Sequence, residues 1–194
     1  MKDLILKTGL LLLGFAASNS SIAATALEGT YNIDPAHTSV GFEVSHLGIA
    51  IVVGRFNTVK GEFTFVPNGN SAVNTEIKTS SVDTNVPDRD KHLRSSDFFD
   101  ANRFPSMSFK SSSVEYSADG KPIKIIGTLN LHGISREIIL ETKAIGFGEG
   151  PAGNYRAGFQ AKAKINRSDF GMKNLLAVAG DEVLITLNVE GIKK

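Results

Sequence analysis

Cysteine and tryptophan are both absent from this chain of 194 residues, and proline is scarce, at 6. Without cysteine there can be no disulfide scaffold, thiol nucleophile, iron–sulfur cluster or cysteine-liganded zinc. Net charge is nearly absent too: 21 Lys and Arg stand against 20 Asp and Glu, a formal +1. That balance supplies no field to recruit nucleic acid or an anionic membrane, and it excludes a basic binding arm. The length suits one domain, two at most.

Long apolar runs are also lacking, with one exception near the start. Lys2 and Lys7 precede Gly9–Ala17, a stretch with no charged residue, and polar Ser18–Ser21 then leads to small residues. Ser21-Ile22-Ala23 puts small residues at −3 and −1 for cleavage after Ala23, and Ala24-Thr25-Ala26 does the same after Ala26. This three-part layout is that of a secretory signal peptide, and the run falls short of the roughly 20 apolar residues of a membrane anchor. The expected division is therefore 1–23 as signal and 24–194 as one exported domain. Losing Lys2, Asp3 and Lys7 leaves 19 basic and 19 acidic residues, an exactly balanced formal charge.

From Leu27 onward the dominant pattern is alternation with period two, the mark of half-buried strands. Val40, Phe42 and Val44 share one face, with Gly41, Glu43 and Ser45 on the other. Similar rows run through Ile125–Leu131, Ala157–Ile165 and Val183–Val189, and shorter ones appear at Phe63/Phe65, Met107/Phe109 and Ile138/Leu140. Eight or nine strands are expected. Tight reversals are expected at Pro67–Asn70, Asp119-Gly120 and His132-Gly133, where Asn, Asp, His and Gly tolerate positive φ. The polar rows carry Glu43, Lys124, Lys162, Lys164 and Glu190. A lysine facing lipid at mid-depth would cost roughly 2–4 kcal/mol, so the pattern favours a water-facing barrel with an apolar interior over an outer-membrane barrel.

Two stretches break the alternation. Ser80–Pro105 is too long to be an idle connection and carries a short helical pattern at Asp88–Ser95. Arg167–Asp181 is the second, with Met172, Leu175 and Leu176 at helix-like spacing. Both are expected to cover something, either a site or an open barrel end.

Signals for chemistry are few. His37, His46, His92 and His132 form no His-x-His or His-x-x-x-His pair, so no metal site is assigned. No nucleophile elbow and no phosphate-cradling loop is present, and no catalytic residue or cofactor is assigned. Asp97 and Asp100, flanking Phe98-Phe99, read as local capping groups, His132 as an exposed loop residue, and Asp181 as part of a solvated turn. Glycines and alanines share the apolar rows with phenylalanines, as in Gly127, Ala157 and Ala161. Such rows fit an interlocked core and a tunnel equally well.

Four stretches, in order, resemble the YceI-like family of bacterial polyisoprenoid-binding, lipocalin-like proteins. They are Tyr31-Asn-Ile-Asp-Pro-Ala-His-Thr-Ser-Val-Gly-Phe through Val44-Ser-His-Leu-Gly, Lys91-His-Leu-Arg-Ser-Ser-Asp-Phe-Phe-Asp with Phe104-Pro-Ser-Met-Ser-Phe, Gly127-Thr-Leu-Asn-Leu-His-Gly-Ile-Ser-Arg, and Arg167-Ser-Asp-Phe-Gly with Gly180-Asp-Glu-Val. The resemblance implies an all-β fold: an extended eight-stranded antiparallel barrel with an apolar tunnel and short helices in the long loops. It further implies a periplasmic protein, with some members homodimeric, whose ligand is an isoprenoid-type or other long amphipathic lipid, a quinone included. On that reading Phe42, Val44, Phe63, Phe109, Leu129, Leu131, Ile138 and Phe159 form tunnel walls, and His46 and Arg94 are polar contacts near a mouth. The rival readings are an enzyme acting on such a lipid, with a histidine as base, and a stress-related envelope protein with a filled core.

Overall fold

The computed structural model describes residues 27–66 and 69–194. The expected signal segment with its expected cleavage sites, and Pro67 and Asn68 of one expected turn, lie outside the described residues. Eleven strand segments follow in order: β1 (Gly29–Ile33), β2 (Ser39–His46), β3 (Ala50–Phe56), β4 (Val59–Phe65), β5 (Ala72–Lys78), β6 (Val82–Asp83), β7 (Ser106–Tyr116), β8 (Pro122–Leu131), β9 (Ile134–Glu149), β10 (Tyr155–Asn166) and β11 (Ala179–Lys193). One short helix, α1 (Pro87–Leu93), lies between β6 and β7.

All pairings are antiparallel, and the ring β1-β4-β5-β7-β8-β9-β10-β11 closes because β11 pairs with β1. This is the eight-stranded barrel, and it settles barrel over sandwich. The segment count exceeds eight because three strands are interrupted. β1 and β2 both lie along β11, which pairs Ile33 with Gly191 and Ser39 with Asn188. Five residues, Asp34–Thr38, therefore stand opposite two, Val189 and Glu190. The three extra residues form a bulge, a device that bends a strand and raises its twist. Below it β1 closes the ring against β4. Above it β2 runs on with β3, which pairs with β6 through Arg55 and Phe56.

The bulge is fastened by charge. Asp34 N–H donates to Glu190 O at 2.8 Å. The Asp34 carboxylate accepts from Ala36 N–H at 3.0 Å, His37 Nδ1 at 2.9 Å and Arg156 Nη1 at 2.8 Å. Arg156 also bonds the Glu190 carboxylate. Asp34, His37 and Glu190 place one ligand-type atom each within 4.8 Å of one another, but the Arg156 guanidinium already occupies both carboxylates.

Inward rows match the alternation. Val40, Phe63, Phe109, Leu129, Leu131, Phe159 and Ile165 are buried, while Glu43, Lys162 and Lys164 face solvent. Where the inner row carries glycine, a neighbouring phenylalanine covers it. A Cβ on Gly54 would sit 2.3 Å from Phe42 Cζ, and one on Gly127 2.6 Å from Phe109 Cζ. His132 (φ 53) and Gly133 (φ 75) make the expected two-residue turn between β8 and β9.

Hydrogen bonds from His37, Ala36 and Arg156, in that order of effect, lower the Asp34 pKa to about 2. A depressed carboxylate adds stability that is complete above its ordinary value, roughly 4, and is lost as pH falls through the folded value. Acid titration of unfolding should show a loss of stability between about pH 4 and pH 2, and Asp34→Asn should flatten that slope and lower the melting temperature at pH 7. An unchanged acid profile in the variant would contradict the role given to this carboxylate.

Candidate functional site

The inner rows do not meet in the middle. They surround a cavity of about 200 Å³, lined from every strand of the ring and from the two irregular stretches. Along β11 alone the wall runs from Ala179 to Val189, roughly 33 Å of strand at about 3.3 Å per residue. Phe42, Val44, Phe63, Phe109, Leu129, Leu131, Ile138 and Phe159 all lie on this wall. His46 and Arg94 do not. His46 ends β2 beside the turn to β3, and Arg94 caps α1, with Nη1 donating to Val82 O at 3.3 Å.

The two ends of the barrel differ. One is floored by aromatic rings: Tyr31 stacks on Phe63 at 4.9 Å, Phe63 meets Phe159 edge-on at 5.5 Å, and Phe65 lies 4.8 Å from Phe159. Leu27, Tyr31 and Phe65 are essentially inaccessible, and the Tyr31 hydroxyl donates to Leu27 O at 3.0 Å. Burial, with a smaller contribution from Tyr155, pushes the Tyr31 phenol up to about 12. It stays a neutral donor across the working pH range.

At the opposite end the wall residues Val44, Leu93, Phe99, Ala179 and Val183 are only half-buried. The two stretches that break the strand pattern arch over this end. In the first, Pro87 opens α1 at a position that needs no N–H, and Asp88 and Asp90 lie in the positive first turn. Asp90 is buried and accepts from Thr84 N–H at 2.8 Å and Thr84 Oγ1 at 2.5 Å, which anchors the helix to the end of β6. Leu93, Phe98 and Phe99 then reach the cavity. The helix ends two residues earlier than Asp88–Ser95 suggested and begins one earlier.

The second stretch is organised by Arg167, which lines the cavity though only 5% of its surface is accessible. Its Nε donates to Gly180 O at 2.9 Å, Nη1 to Met172 O at 2.7 Å and Nη2 to Ala179 O at 2.7 Å. Its Cζ lies 5.7 Å from the Phe98 ring centroid, which couples the two coverings. Burial lowers the Arg167 pKa, and Asp181 opposes the shift. Asp181 is no solvated turn residue: its carboxylate accepts from Ser168 N–H at 2.8 Å and Ser168 Oγ at 2.7 Å, which holds its own pKa down. Met172 is buried, but Leu175 and Leu176 are exposed in turns, and the helix suggested by their spacing does not form.

His132 also departs from expectation. It is half-buried, with Nδ1 3.1 Å from Phe170 O, the Phe104 ring at 4.7 Å, and Nε2 buried without a partner. It ties the β8–β9 turn to the second covering segment, where β9 and β10 have stopped pairing beyond Glu141 and Lys162.

The model of the YceI-like domain family matches residues 31–191. The chain belongs to the YceI-like family. Protein YceI of Shigella flexneri is 42% identical over 193 residues, covering 97% of this chain and 100% of that protein. Among solved structures, the Campylobacter jejuni YCEI protein aligns with a TM-score of 0.68 and 34% identity, over 83% of this chain and 96% of its own. A polyisoprenoid binding domain from Saccharophagus degradans aligns at TM-score 0.64 and 15% identity, over 84% of this chain and 98% of its own, a likeness of fold. The YceI-like match begins at Tyr31 of the floor and ends at Gly191, whose absent side chain admits the Phe63 ring.

Removing the Arg167 side chain would leave the carbonyls of Met172, Ala179 and Gly180 without their charged donor. Arg167→Ala should lower unfolding free energy by roughly 3 kcal/mol, measured by urea titration, with hydrogen exchange rising first at 171–180. A loss below about 1 kcal/mol would remove Arg167 as the organiser of this segment.

Proposed function

We propose that the protein binds one long isoprenoid-type or similar amphipathic lipid in its barrel. It acts in the periplasm, as a store or carrier, after export through its N-terminal signal segment. The observation that carries this reading is the chemistry of the cavity wall. Among the described residues that line it, Arg167 is the sole ionisable side chain, and its three hydrogen-bonded nitrogens serve the carbonyls of Met172 in the loop and of Ala179 and Gly180 at the start of β11.

Water gains little in such a space. A buried water needs about 10–15 Å³ and two to four polar partners; the cavity offers ample room and almost no partners. A protein selected for a filled core would have closed it with larger side chains. A hydrocarbon chain instead gains about 0.8 kcal/mol per buried methylene-sized unit, against the cost of ordering it. The polar head of such a lipid then stays at the half-buried end, away from the aromatic floor. The Saccharophagus degradans domain, described as polyisoprenoid binding, supports the ligand class through a shared fold. A wall without a carboxylate or imidazole supports binding over catalysis on the lipid.

Leu129 lies mid-wall on β8, and Leu129→Trp fills the space with an indole. The variant should keep its circular dichroism and thermal unfolding while its uptake of a labelled polyprenol falls at least about tenfold. Uptake at the wild-type level would contradict occupancy of the barrel interior.

A further inference from the structure

The cavity wall continues outward into an apolar rim that the barrel itself does not use. Val44 and Ala179 line the cavity; two residues beyond Val44, β2 ends at His46, which pairs with Ala179. Past that pair the β2–β3 turn and the 173–178 loop run side by side, joined by Leu47 N–H donating to Val178 O at 2.8 Å. Neither Leu47–Val53 nor Leu175–Gly180 contains a charged residue. Leu47 is 53% exposed, Ile49 83% and Ile51 59%, and Leu175 and Leu176 stand exposed beside them.

Two of these leucines are placed against their own backbone preference. Leu47 has φ 54 and Leu175 φ 53, the left-handed region that glycine and asparagine adopt readily and a bulky side chain does not. Both then present an apolar side chain to water. Folding alone gains from a leucine at neither position, and strain of this kind collects where a surface is used.

The occupant must wet an apolar rim and supply a hydrocarbon chain to the cavity behind it. Farther down the outer face, Glu43 stands between Val53 and Leu184 and sets a polar lower limit. On its other side, β3 pairs with β6 only through Arg55 and Phe56, so the free backbone edge at Ala50–Gly54 restricts entry to the headgroup region.

We propose that this rim docks reversibly on a lipid bilayer and that the ligand chain passes between membrane and cavity through it. The inference rests on the lipid-binding reading. Because the exported chain has equal numbers of basic and acidic residues, docking should depend on apolar contact and not on anionic lipid.

The test uses the mature protein and vesicles of phosphatidylethanolamine with phosphatidylglycerol, or of phosphatidylcholine alone. Wild type should float with both, unaffected by roughly 0.5 M salt, where the Debye length is only about 4 Å. The triple variant Leu47→Asn/Ile49→Ser/Leu175→Asn relieves the strained backbone, so it should melt at or above the wild-type temperature. Its flotation, and its removal of labelled polyprenol from vesicles, should fall at least about tenfold, while uptake from a cyclodextrin complex stays unchanged. Flotation of the variant at the wild-type level, wild type that stays off vesicles, or a wild-type dimer that the substitutions convert to monomer would each overturn the docking proposal. Wild type that takes up no polyprenol even from cyclodextrin would overturn the lipid-binding reading, and the docking proposal with it.

Discussion

The pairing of β1 with β11 is the constraint on which the rest depends, because it turns a sheet into a container. An open sheet could bury its apolar face only by folding over, which would bring opposing rows into contact. Closure of eight strands instead fixes the distance across the ring, and at this strand number side chains either just fill the interior or leave room for one small ligand. Here they leave room. Closure also demands that β1 and β2 follow one another along β11, β1 meeting β4 on its other side and β2 meeting β3. The bulge at Asp34–Thr38 permits this, and the Asp34–Arg156–Glu190 cluster holds it. A polar network on the outside of the barrel thus sustains an apolar space inside it.

From closure follows a difference between the ends. The floor is built of Tyr31, Phe63, Phe65 and Phe159, buried rings from neighbouring or closely packed strands. The other end cannot be floored in this way, because β2 and β3 extend past it and β9 separates from β10. Irregular chain covers it. Irregular chain has unpaired carbonyls, and a buried carbonyl without a donor is costly. Arg167 supplies three donors from one rigid fork. Because the one guanidinium on the wall is bonded to these carbonyls, the described cavity wall presents no free charge to its interior.

Much of this was legible in the sequence, and the reason is physical. Every strand has one face toward the interior, so period two exposed the inner row at Val40, Phe42 and Val44 and the outer charges at Glu43 and Lys162. His132-Gly133 was legible as a turn because two successive left-handed residues have a narrow chemistry. The state of the interior was not. Glycine in an inner row suits a void or a close approach alike, and at Gly54 and Gly127 it is the close approach of Phe42 and Phe109 that decides. The expectation of a tunnel rests on family resemblance. Arg167 escaped notice as a wall residue because a guanidinium ordinarily reads as solvent-facing. Its burial is driven by carbonyls of Met172 in the covering segment and of the first two residues of β11, a convergence that no periodicity encodes. Met172, Leu175 and Leu176 misled in the same way: helical spacing is a weak signal across a loop whose conformation Arg167 sets.

The central claim is that the interior belongs to a lipid chain. The most direct test is to recover the protein from its own cells, extract it with organic solvent and weigh what is released by mass spectrometry. The account predicts an isoprenoid-type or similar long-chain lipid at close to one molecule per barrel. Protein recovered without lipid, whose cavity also refuses added isoprenoid, would contradict it.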